Sequence, residues 1–256
     1  MDTVFLNGSY LPLADAKISP MDRGFLFGDG VYEVVPCYGG RSVGLGPHMR
    51  RMQDGLEAIE LPMPVDENEW RSIAEELARR NNGENLGIYI QISRGADTKR
   101  NHAMPEGITP TRFAFAFEIP SPPEADKDTA KSYHVSTTED LRWQRCHIKS
   151  TSLLGNVMHY QHGHSRGCQE TLLFNGQDEL TEAAACNVFV VKNGAVATPL
   201  LDHQKLPGIT RYMLIDMLRK HSELSVEERV VTKEEVQAAD EVWIKSSTKE
   251  VDPVLY

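Results

Sequence analysis

The sequence predicts a mixed α/β (α+β) fold in two domains, on three observations. Segments with strand-like alternation and segments with helical spacing are mixed in both halves of the chain. A chain of 256 residues more usually forms two compact units than one. A stretch rich in proline and charge lies at 120–128 and has no apolar period. We therefore expect an N-terminal α/β domain over 1–120, a linker over 121–130 and a C-terminal α/β domain over 131–256.

Alternating apolar residues and turn residues predict the elements of the first half. Asn7-Gly8 is typical of a hairpin turn between two short strands, and Gly39-Gly40 of a turn that ends a longer strand. Two segments carry apolar residues at helical spacing, and Asn82-Gly83 closes the second. The predicted elements are strands over 4–6, 10–13 and 31–38, helices over 47–59 and 67–81, and strands over 86–93 and 112–119.

The second half shows the same mixture of patterns. Gly208-Ile209-Thr210 is typical of the start of a helix, and Ser246-Ser247-Thr248 follows a predicted strand. The predicted strands cover 133–137, 170–175, 188–192, 196–198 and 241–245, and the predicted helices cover 152–166, 210–221 and 233–238.

Composition and charge exclude several classes of function. The net charge of −10 and the pI of about 5.4 argue against nucleic acid or an anionic membrane as the main partner. No run of residues approaches the roughly 20 apolar residues of a membrane span, and the N-terminus lacks the basic region of a signal peptide. Four cysteines without a CxxC pair are typical of reduced thiols. We therefore expect a cytoplasmic protein.

Three stretches are candidates for binding an anion such as a phosphate. The N–H groups at the start of the helix that Gly208-Ile209-Thr210 opens favour an anion. Ser246-Ser247-Thr248 offers hydroxyl and N–H donors, and Arg51, on a predicted helix, offers a bidentate guanidinium. Each pattern alone is weak evidence, because Gly-x-Thr is a common helix cap and a Ser/Thr triplet is usually a turn.

Lys149 and Glu182 are candidates for chemistry, with ordinary alternatives. Lys149 lies among small polar residues just before a predicted helix, where a desolvated amine could act as a nucleophile, although most lysines are solvated surface charges. Glu182 lies among alanines and a cysteine, so we expect it to be partly buried and to need a partner. The alternative is a glutamate at a helix start or a turn.

Two clusters of basic residues are candidates for different kinds of binding site. Arg100 and His102 begin a loop, and in an extended segment both side chains point the same way, so they could hold a carboxylate; a solvated basic loop is the alternative. His159 and His162 share a helix face and resemble a metal site, but His164 is turned away and no further ligand falls at useful spacing. We expect no metal.

Together these motifs resemble the fold-type IV enzymes that use pyridoxal 5′-phosphate (PLP), the class IV aminotransferases. The resemblance covers nearly the whole chain, in the family's order. The residues that carry it are Ser19 to Glu33, His48-Met49-Arg50-Arg51-Met52, Lys149, Thr181-Glu182 with Asn187-Val188-Phe189, Gly208-Ile209-Thr210-Arg211, and Ser246 to Val251.

The resemblance implies roles for individual residues. Lys149 falls at the lysine that bonds PLP as a Schiff base and then moves the substrate's proton, and Glu182 at the glutamate that holds the pyridine nitrogen. The implied phosphate ligands are Arg51, Ile209, Thr210, Ser246 and Ser247. Tyr32, Arg100 and His102 resemble the carboxylate-binding residues of D-amino acid transaminases. The family fold places the cofactor in a cleft between two domains.

The implied activity is transamination between a D-amino acid, such as D-alanine, and a 2-oxo acid, such as 2-oxoglutarate. The family is dimeric, with the Arg-x-His pair reaching the partner's site, so a homodimer is also implied. Within the family the alternatives are aminodeoxychorismate lyase and branched-chain aminotransferase. Outside it the alternative is a metal hydrolase using His159 and His162. A third, non-catalytic alternative is a binding protein of the PLP family that has lost activity through its short C-terminus.

Two features depart from the family pattern. Relatives often carry small hydroxyl residues after the glutamate, where this chain has Ala184, Ala185 and Cys186. Relatives also usually continue beyond the position of Tyr256 with a further strand and helix, so we expect the C-terminal domain to be shorter than theirs.

Overall fold

The computed structural model describes residues 2–122, 131–248 and 250–255. The chain forms two compact units: unit 1 comprises Met1–Ser121 with Ile148–Leu153, and unit 2 comprises Pro122–His147 with Leu154–Tyr256. The segment that contains Lys149 therefore groups with unit 1, whereas the sequence analysis expected it in the C-terminal domain. Most of the expected linker, 123–130, lies outside the described residues.

Unit 1 is built on a six-stranded antiparallel sheet. Its elements are β1 (Thr3–Leu6), β2 (Ser9–Pro12), a 3₁₀ turn (Leu13–Asp15), α1 (Arg23–Phe27), β3 (Gly30–Tyr38), β4 (Arg41–Ser42), α2 (Leu45–Ala58), α3 (Glu67–Asn81), β5 (Asn85–Ser93) and β6 (Thr111–Glu118). The strand order is β2-β1-β6-β5-β3-β4. The apolar stripes of α2 and α3 are buried in one core with Ile88, Ile90 and Ile92 of β5, as the alternation of that strand predicts.

The short helix α1 is fixed to this sheet by one buried carboxylate. Asp22 caps the helix by accepting the N–H of Gly24, and it also accepts the hydroxyls of Ser93 and Thr111. Gly28 ends the helix with a φ of 66°. A Cβ atom at this glycine would lie 2.3 Å from the Ser152 hydroxyl oxygen, so the helix end and the Lys149 segment approach each other closely.

Unit 2 contains an eight-stranded mixed sheet. Its elements are β7 (Tyr133–Glu139), α4 (Leu154–His164), β8 (Glu170–Phe174), β9 (Leu180–Ala183), β10 (Asn187–Lys192), β11 (Ala195–Pro199), α5 (Ile209–His221), β12 (Ser225–Arg229), α6 (Lys233–Gln237), β13 (Glu241–Ser246) and β14 (Glu250–Leu255). The strand order is β12-β11-β10-β13-β14-β7-β8-β9. The pairs β11–β12, β14–β7 and β7–β8 are parallel and the others are antiparallel.

The structure confirms the predicted mixed fold and most of its elements. The helix predicted over 67–81 has those bounds, and the helix expected after Gly208 begins at Ile209. The pattern missed the strands β4, β12 and β14. It also did not predict α1, which is too short for a period, nor β9, whose alanines have low strand propensity. Glu182 consequently lies in a strand, and its reading as a helix-start or turn residue is wrong. Within the described ranges, no helix is long and apolar enough to cross a membrane.

Candidate active site

Lys149 is held against β3 by its backbone and by its side chain. The Tyr32 N–H donates to the Lys149 carbonyl over 3.0 Å, and Val31 forms a bridge with Ser150. The half-buried Lys149 Nζ donates to the Tyr32 hydroxyl over 3.2 Å and lies 4.3 Å from the centre of the Tyr32 ring. The structure therefore brings together two of the predicted site residues and aligns the amine by a hydrogen bond and a cation–π contact.

Tyr32 itself rests on a second tyrosine. The Tyr89 ring stacks on it, with centroids 5.5 Å apart and an interplanar angle of 22°. The Tyr89 hydroxyl donates to the Gln91 side-chain oxygen over 2.7 Å, and burial together with the neighbouring Tyr32 raises the pKa of Tyr89 well above its usual range. Tyr89 thus stays a neutral donor and supports the Tyr32 ring.

A buried carboxylate orients Arg51. Glu33 is fully buried and accepts Arg51 Nε over 2.8 Å and Arg51 Nη2 over 2.7 Å, a bidentate pair. His48 Nδ1 lies 2.6 Å from the same carboxylate. Because Arg51 and His48 come from α2 while Glu33 follows Tyr32 on β3, the cluster ties the predicted phosphate arginine to the strand that contacts Lys149.

Charges in this cluster follow from burial and pairing. Burial alone would raise the pKa of Glu33, but Arg51 and His48 outweigh it and lower that pKa to about 2. Burial lowers the pKa of His48 below its usual value despite its bond to Glu33. At neutral pH the cluster therefore holds an ionised Glu33, a charged Arg51 and a neutral His48 that donates its Nδ1–H.

Glu182 is paired with an arginine that the sequence analysis did not select. Arg142 Nη1 makes a short hydrogen bond to Glu182 Oε1, and its Nε and Nη2 bond Asp140 over 2.9 and 2.7 Å. The Thr181 hydroxyl donates to Asp140 as well, over 2.7 Å. Arg142 is 8% exposed and Glu182 6%, so this network is buried and each charge has an opposite partner.

The second oxygen of Glu182 accepts two further donors. The Leu206 N–H lies 3.0 Å from Glu182 Oε2, and Asn187 Nδ2 lies 3.3 Å from it. Burial raises the pKa of Glu182, while the Arg142 guanidinium and the Leu206 N–H oppose that rise. The carboxylate is therefore fixed in direction, and its ionised form depends on Arg142.

The start of α5 forms a set of donors in unit 2. Gly208 is the N-cap of this 13-residue helix, and the Thr210 hydroxyl lies 3.3 Å from the Ser247 hydroxyl. Ser246 ends β13 directly before Ser247. A Cβ atom on Gly208 would lie 1.9 Å from Asn187 Oδ1, so glycine lets the helix start approach the residue that also contacts Glu182. Free N–H groups and two converging hydroxyls are suited to a phosphate.

Arg100 and His102 lie on an exposed loop of unit 1. Both side chains contact the ring of Phe27: the Arg100 guanidinium carbon lies 5.2 Å from its centroid, and the His102 ring centroid lies 5.4 Å from it. The expectation that the two side chains point the same way is consistent with this shared contact. Their grouping with Tyr32 around a substrate stays a prediction.

The histidines of α4 do not form the metal site that their spacing resembles. His159 Nε2 accepts the Leu141 N–H over 3.1 Å, and burial lowers the pKa of His159, so this ring is engaged as a neutral acceptor. Among the described residues, no group of three or more His, Cys, Asp or Glu side chains could hold a metal ion. The geometry thus gives the metal-hydrolase alternative no support.

The donors present fit the chemical groups of PLP. Lys149 offers an amine for the aldehyde, and the buried Glu182 offers a fixed carboxylate for a protonated pyridine nitrogen. Arg51 and the hydroxyls at the start of α5 offer donors for a phosphate. Lys149 and Arg51 belong to unit 1, and Glu182 and Thr210 belong to unit 2.

Solved structures and curated relatives define the class of protein. The fold matches a branched-chain amino acid aminotransferase from Escherichia coli at a TM-score of 0.86 and 23% identity, over 99% of this chain and 84% of that one. It also matches a Legionella pneumophila protein assigned as a 4-amino-4-deoxychorismate lyase at a TM-score of 0.84 and 22% identity, over 95% and 88%. These matches establish the fold of the chain, which is the fold of these structures.

The sequence comparisons assign the family. The class IV amino-transferase family matches residues 30–255. A D-alanine aminotransferase of Listeria monocytogenes is 34% identical over 253 residues, which cover 99% of this chain and 86% of that protein. The chain belongs to the class IV aminotransferases, a family that uses PLP.

The sequence analysis missed residues that orient the predicted ones. Both Glu33 and His48 lie inside the motifs that carry the family resemblance. Glu33 directly follows Tyr32, and His48 lies three residues before Arg51, so a search for ionisable residues beside the predicted site residues would have found them. Arg142 lies 40 residues from Glu182, and nothing in its local pattern marks it. Only the fold brings that pair into contact.

Proposed function

We propose that this protein transfers an amino group between a D-amino acid, such as D-alanine, and a 2-oxo acid, such as 2-oxoglutarate, with PLP as cofactor. The observation that carries the proposal is the hydrogen bond between the Lys149 amine and the Tyr32 hydroxyl, at the two positions where the family resemblance requires an amine and a substrate-binding phenol. The 34% identity to a D-alanine aminotransferase supports the choice of D-amino acids.

When bound, PLP supplies an aldehyde that captures amines and a ring that withdraws electrons. Lys149 would hold the cofactor through its side-chain amine, and as a free amine it would accept the proton from the substrate's Cα as a base and deliver it to the cofactor carbon as an acid. Tyr32, 3.2 Å from Lys149 Nζ, keeps the amine directed during this transfer. Glu182, held by Arg142, carries the negative charge that keeps the pyridine nitrogen protonated.

The remaining predicted residues bind and orient. Arg51, oriented by Glu33, and the donors at Ile209, Thr210, Ser246 and Ser247 hold the phosphate. Tyr32, Arg100 and His102 hold the substrate α-carboxylate, which sets the face of the amino acid that meets Lys149. A guanidinium and an imidazole are suited to a carboxylate because both donate charge-assisted hydrogen bonds.

The test is turnover of D-alanine against L-alanine and L-leucine, each with 2-oxoglutarate, by the purified protein. We expect activity with D-alanine and loss of the yellow cofactor absorbance on its addition. Borohydride reduction and peptide mapping should place the pyridoxyl group on Lys149, and Lys149→Ala should lose turnover. Lys192→Ala, an exposed lysine paired with Asp240, is the matched control and should keep full activity.

Other outcomes of the same assay identify the alternatives. Turnover of L-leucine without D-alanine would favour a branched-chain aminotransferase, and pyruvate release from aminodeoxychorismate would favour the lyase; both names occur among proteins that share this fold. A yellow protein inert with all of these substrates would indicate a binding protein. Any of these results would overturn the D-amino acid proposal.

We also propose that the protein is a homodimer and that it is located in the cytoplasm. The homodimer is supported by the family resemblance, which implies a dimer. It is also supported by the apolar side chains that α4 exposes, namely Leu154, Val157 and Met158. Four cysteines without a CxxC pair support the location in the cytoplasm. Sedimentation of the purified protein should give twice the 28.7 kDa of the chain; a monomer with full activity would contradict the dimer.

A further inference from the structure

One guanidinium in unit 1 binds three consecutive backbone carbonyls of an exposed loop. Arg23 Nη1 donates to the carbonyl of Asn101 over 2.6 Å and to that of Ala103 over 3.2 Å. Arg23 Nη2 lies 3.4 Å from the carbonyl of His102. These three residues directly follow Arg100, so the donors of a single side chain fix the backbone of the segment that carries both predicted carboxylate-binding residues.

Arg23 is itself fixed before it reaches the loop. Its side chain is 5% exposed, and its Nε donates to Asp29 Oδ2 over 2.7 Å. A buried guanidinium must be paired and fully hydrogen-bonded, and the loop carbonyls complete the bonds that Asp29 begins. The loop therefore satisfies a buried charge, which gives it a defined position despite the exposure of its side chains.

The helix that carries Arg23 also supports the loop side chains. The ring of Phe27 lies one turn along α1, with the Arg23 guanidinium carbon 4.9 Å from its centroid. The Arg100 guanidinium carbon lies 5.2 Å from the same centroid and the His102 ring 5.4 Å from it. One aromatic ring is thus the common platform for the two side chains and for the arginine that binds their backbone.

Helix α1 and its N-cap residue also bind the start of the segment that leads to this loop. The Arg23 N–H donates to the Gly95 carbonyl over 2.9 Å, and Asp22 forms a bridge with Ala96. Asp22 also bonds Ser93 and Thr111, which lie on strands of the sheet. The segment from Gly95 to Ala103 is therefore attached at both ends to α1, and α1 is attached to the sheet.

We propose that Arg23 is a positioning residue that sets the geometry of the carboxylate-binding pair Arg100 and His102, with Phe27 supporting their side chains. The inference rests on the proposed function in one respect, that Arg100 and His102 bind the substrate carboxylate. An arginine with a purely structural role would affect stability and leave substrate affinity unchanged, so the two roles have different readouts.

A matched control lies on the other side of Asp29. Arg94 is equally buried and donates to the same Asp29 Oδ2 over 2.8 Å, but its Nη atoms bind the carbonyls of Ile59 and Glu60 instead of the loop. Arg23→Lys and Arg94→Lys therefore make the same chemical change beside the same carboxylate. Only the first removes donors from the 101–103 backbone.

The first measurement is hydrogen–deuterium exchange of the full-length protein. We expect the Ala103 amide, which donates to Asn101 Oδ1 over 3.2 Å, to exchange about tenfold faster in Arg23→Lys than in the wild type, because the Asn101 and Ala103 carbonyls that fix the backbone around this bond lose their charged donor. Arg94→Lys should accelerate exchange near Ile59 and leave 100–104 unchanged. This readout needs no turnover, so it tests the positioning role even if the protein proves inactive toward D-alanine.

The second measurement is steady-state kinetics with D-alanine and 2-oxoglutarate. Arg23→Lys should raise KM for both substrates about tenfold with kcat nearly unchanged, since the carboxylate is held alike in the ground and transition states. Arg23→Met should raise it further, and Arg94→Lys should not change it. PLP affinity, measured by absorbance, should be the same in all variants.

Phe27→Leu provides a second test of the proposal if the Arg23 variants do not fold. Phe27 is half-buried, so its replacement leaves the core intact; KM should rise about threefold through loss of the cation–π contact, with exchange at 100–104 unchanged. The proposal is overturned if Arg23→Lys leaves both exchange and KM at wild-type values, if Arg94→Lys changes them equally, or if Phe27→Leu leaves KM unchanged. A wild type that does not use D-alanine would instead overturn the proposed function.

Discussion

The Lys149 amine lies over the Tyr32 ring, 4.3 Å from its centre, and donates to the hydroxyl of the same residue over 3.2 Å. Tyr32 in turn stacks on Tyr89, and its backbone N–H bonds the Lys149 carbonyl. One tyrosine thus restrains both the backbone and the amine of the proposed catalytic lysine. In the proposed mechanism this restraint would act on the free Lys149 amine, the form that serves as a base.

Replacing Tyr32 with phenylalanine tests this restraint. Tyr32→Phe keeps the ring and removes the acceptor of the Lys149 amine, so we expect kcat to fall about threefold to tenfold, the value of one hydrogen bond. Stopped-flow absorbance of the D-alanine half-reaction measures the step directly. Tyr89→Phe is the control, because it keeps the stack and removes a hydroxyl that bonds Gln91; an equal loss in both variants would refute the role of the Tyr32 hydroxyl.

Arg142 should set the pH dependence through Glu182. Burial raises the pKa of Glu182 and Arg142 opposes the rise, so Arg142→Met should raise that pKa further. In the proposed mechanism the ionised carboxylate of Glu182 is the active form, so the activity of the variant should be lost as pH falls through the raised pKa and should recover at higher pH. Profiles of kcat/KM from pH 6 to 9.5 should show the acidic loss of activity at higher pH in Arg142→Met than in the wild type. Arg145→Met, at an exposed neighbouring arginine, should keep the wild-type profile.

Glu33 should contribute stability that depends on pH. Its pKa is lowered from 4.5 to about 2, so the contribution is present above pH 4.5 and is lost as pH falls toward 2. Glu33→Gln should lower the free energy of unfolding at pH 7 by on the order of 3 kcal/mol, and the difference from wild type should shrink in acid. Denaturant unfolding at several pH values measures this.

Glu76 provides the control for Glu33. Its pKa is also lowered to about 2, by Arg79 and Arg80, but it lies at the surface of α3. Surface ion pairs are screened by solvent, so Glu76→Gln should change the unfolding free energy little. A larger loss of stability in Glu76→Gln than in Glu33→Gln would contradict the argument from burial.

Gly208→Ala should weaken cofactor binding. The new Cβ atom would lie 1.9 Å from Asn187 Oδ1, so Asn187 must move and give up its bonds to Glu182 and to the Leu206 carbonyl. We expect the Kd for PLP, measured by fluorescence titration, to rise about tenfold or more from lost hydrogen bonds. Gly176→Ala, where nothing lies within 4 Å, should bind PLP normally. If Gly208→Ala bound PLP with unchanged affinity, the start of α5 would not be part of the cofactor site.

Local patterns predicted the features that local physics decides. Asn7-Gly8 predicted a hairpin, and both residues adopt the positive φ that such a turn needs. The apolar stripe of Trp70, Ile73 and Leu77 predicted α3 with its bounds, and Gly208 predicted the start of α5. These outcomes depend on residues within a few positions of one another, so the sequence contains them directly.

The order of motifs assigned the family and pointed to Lys149, Glu182 and Arg51. It did not show that Arg142 pairs with Glu182 across 40 residues, that Glu33 binds Arg51 across 18, or that Arg23 reaches a loop 78 residues away. Each partner is selected by sheet register and by the burial of charge, which requires an opposite group wherever the fold excludes water. The sequence alone determined which groups could do chemistry; the tertiary structure decided their charge and direction, because both depend on neighbours that are distant along the chain.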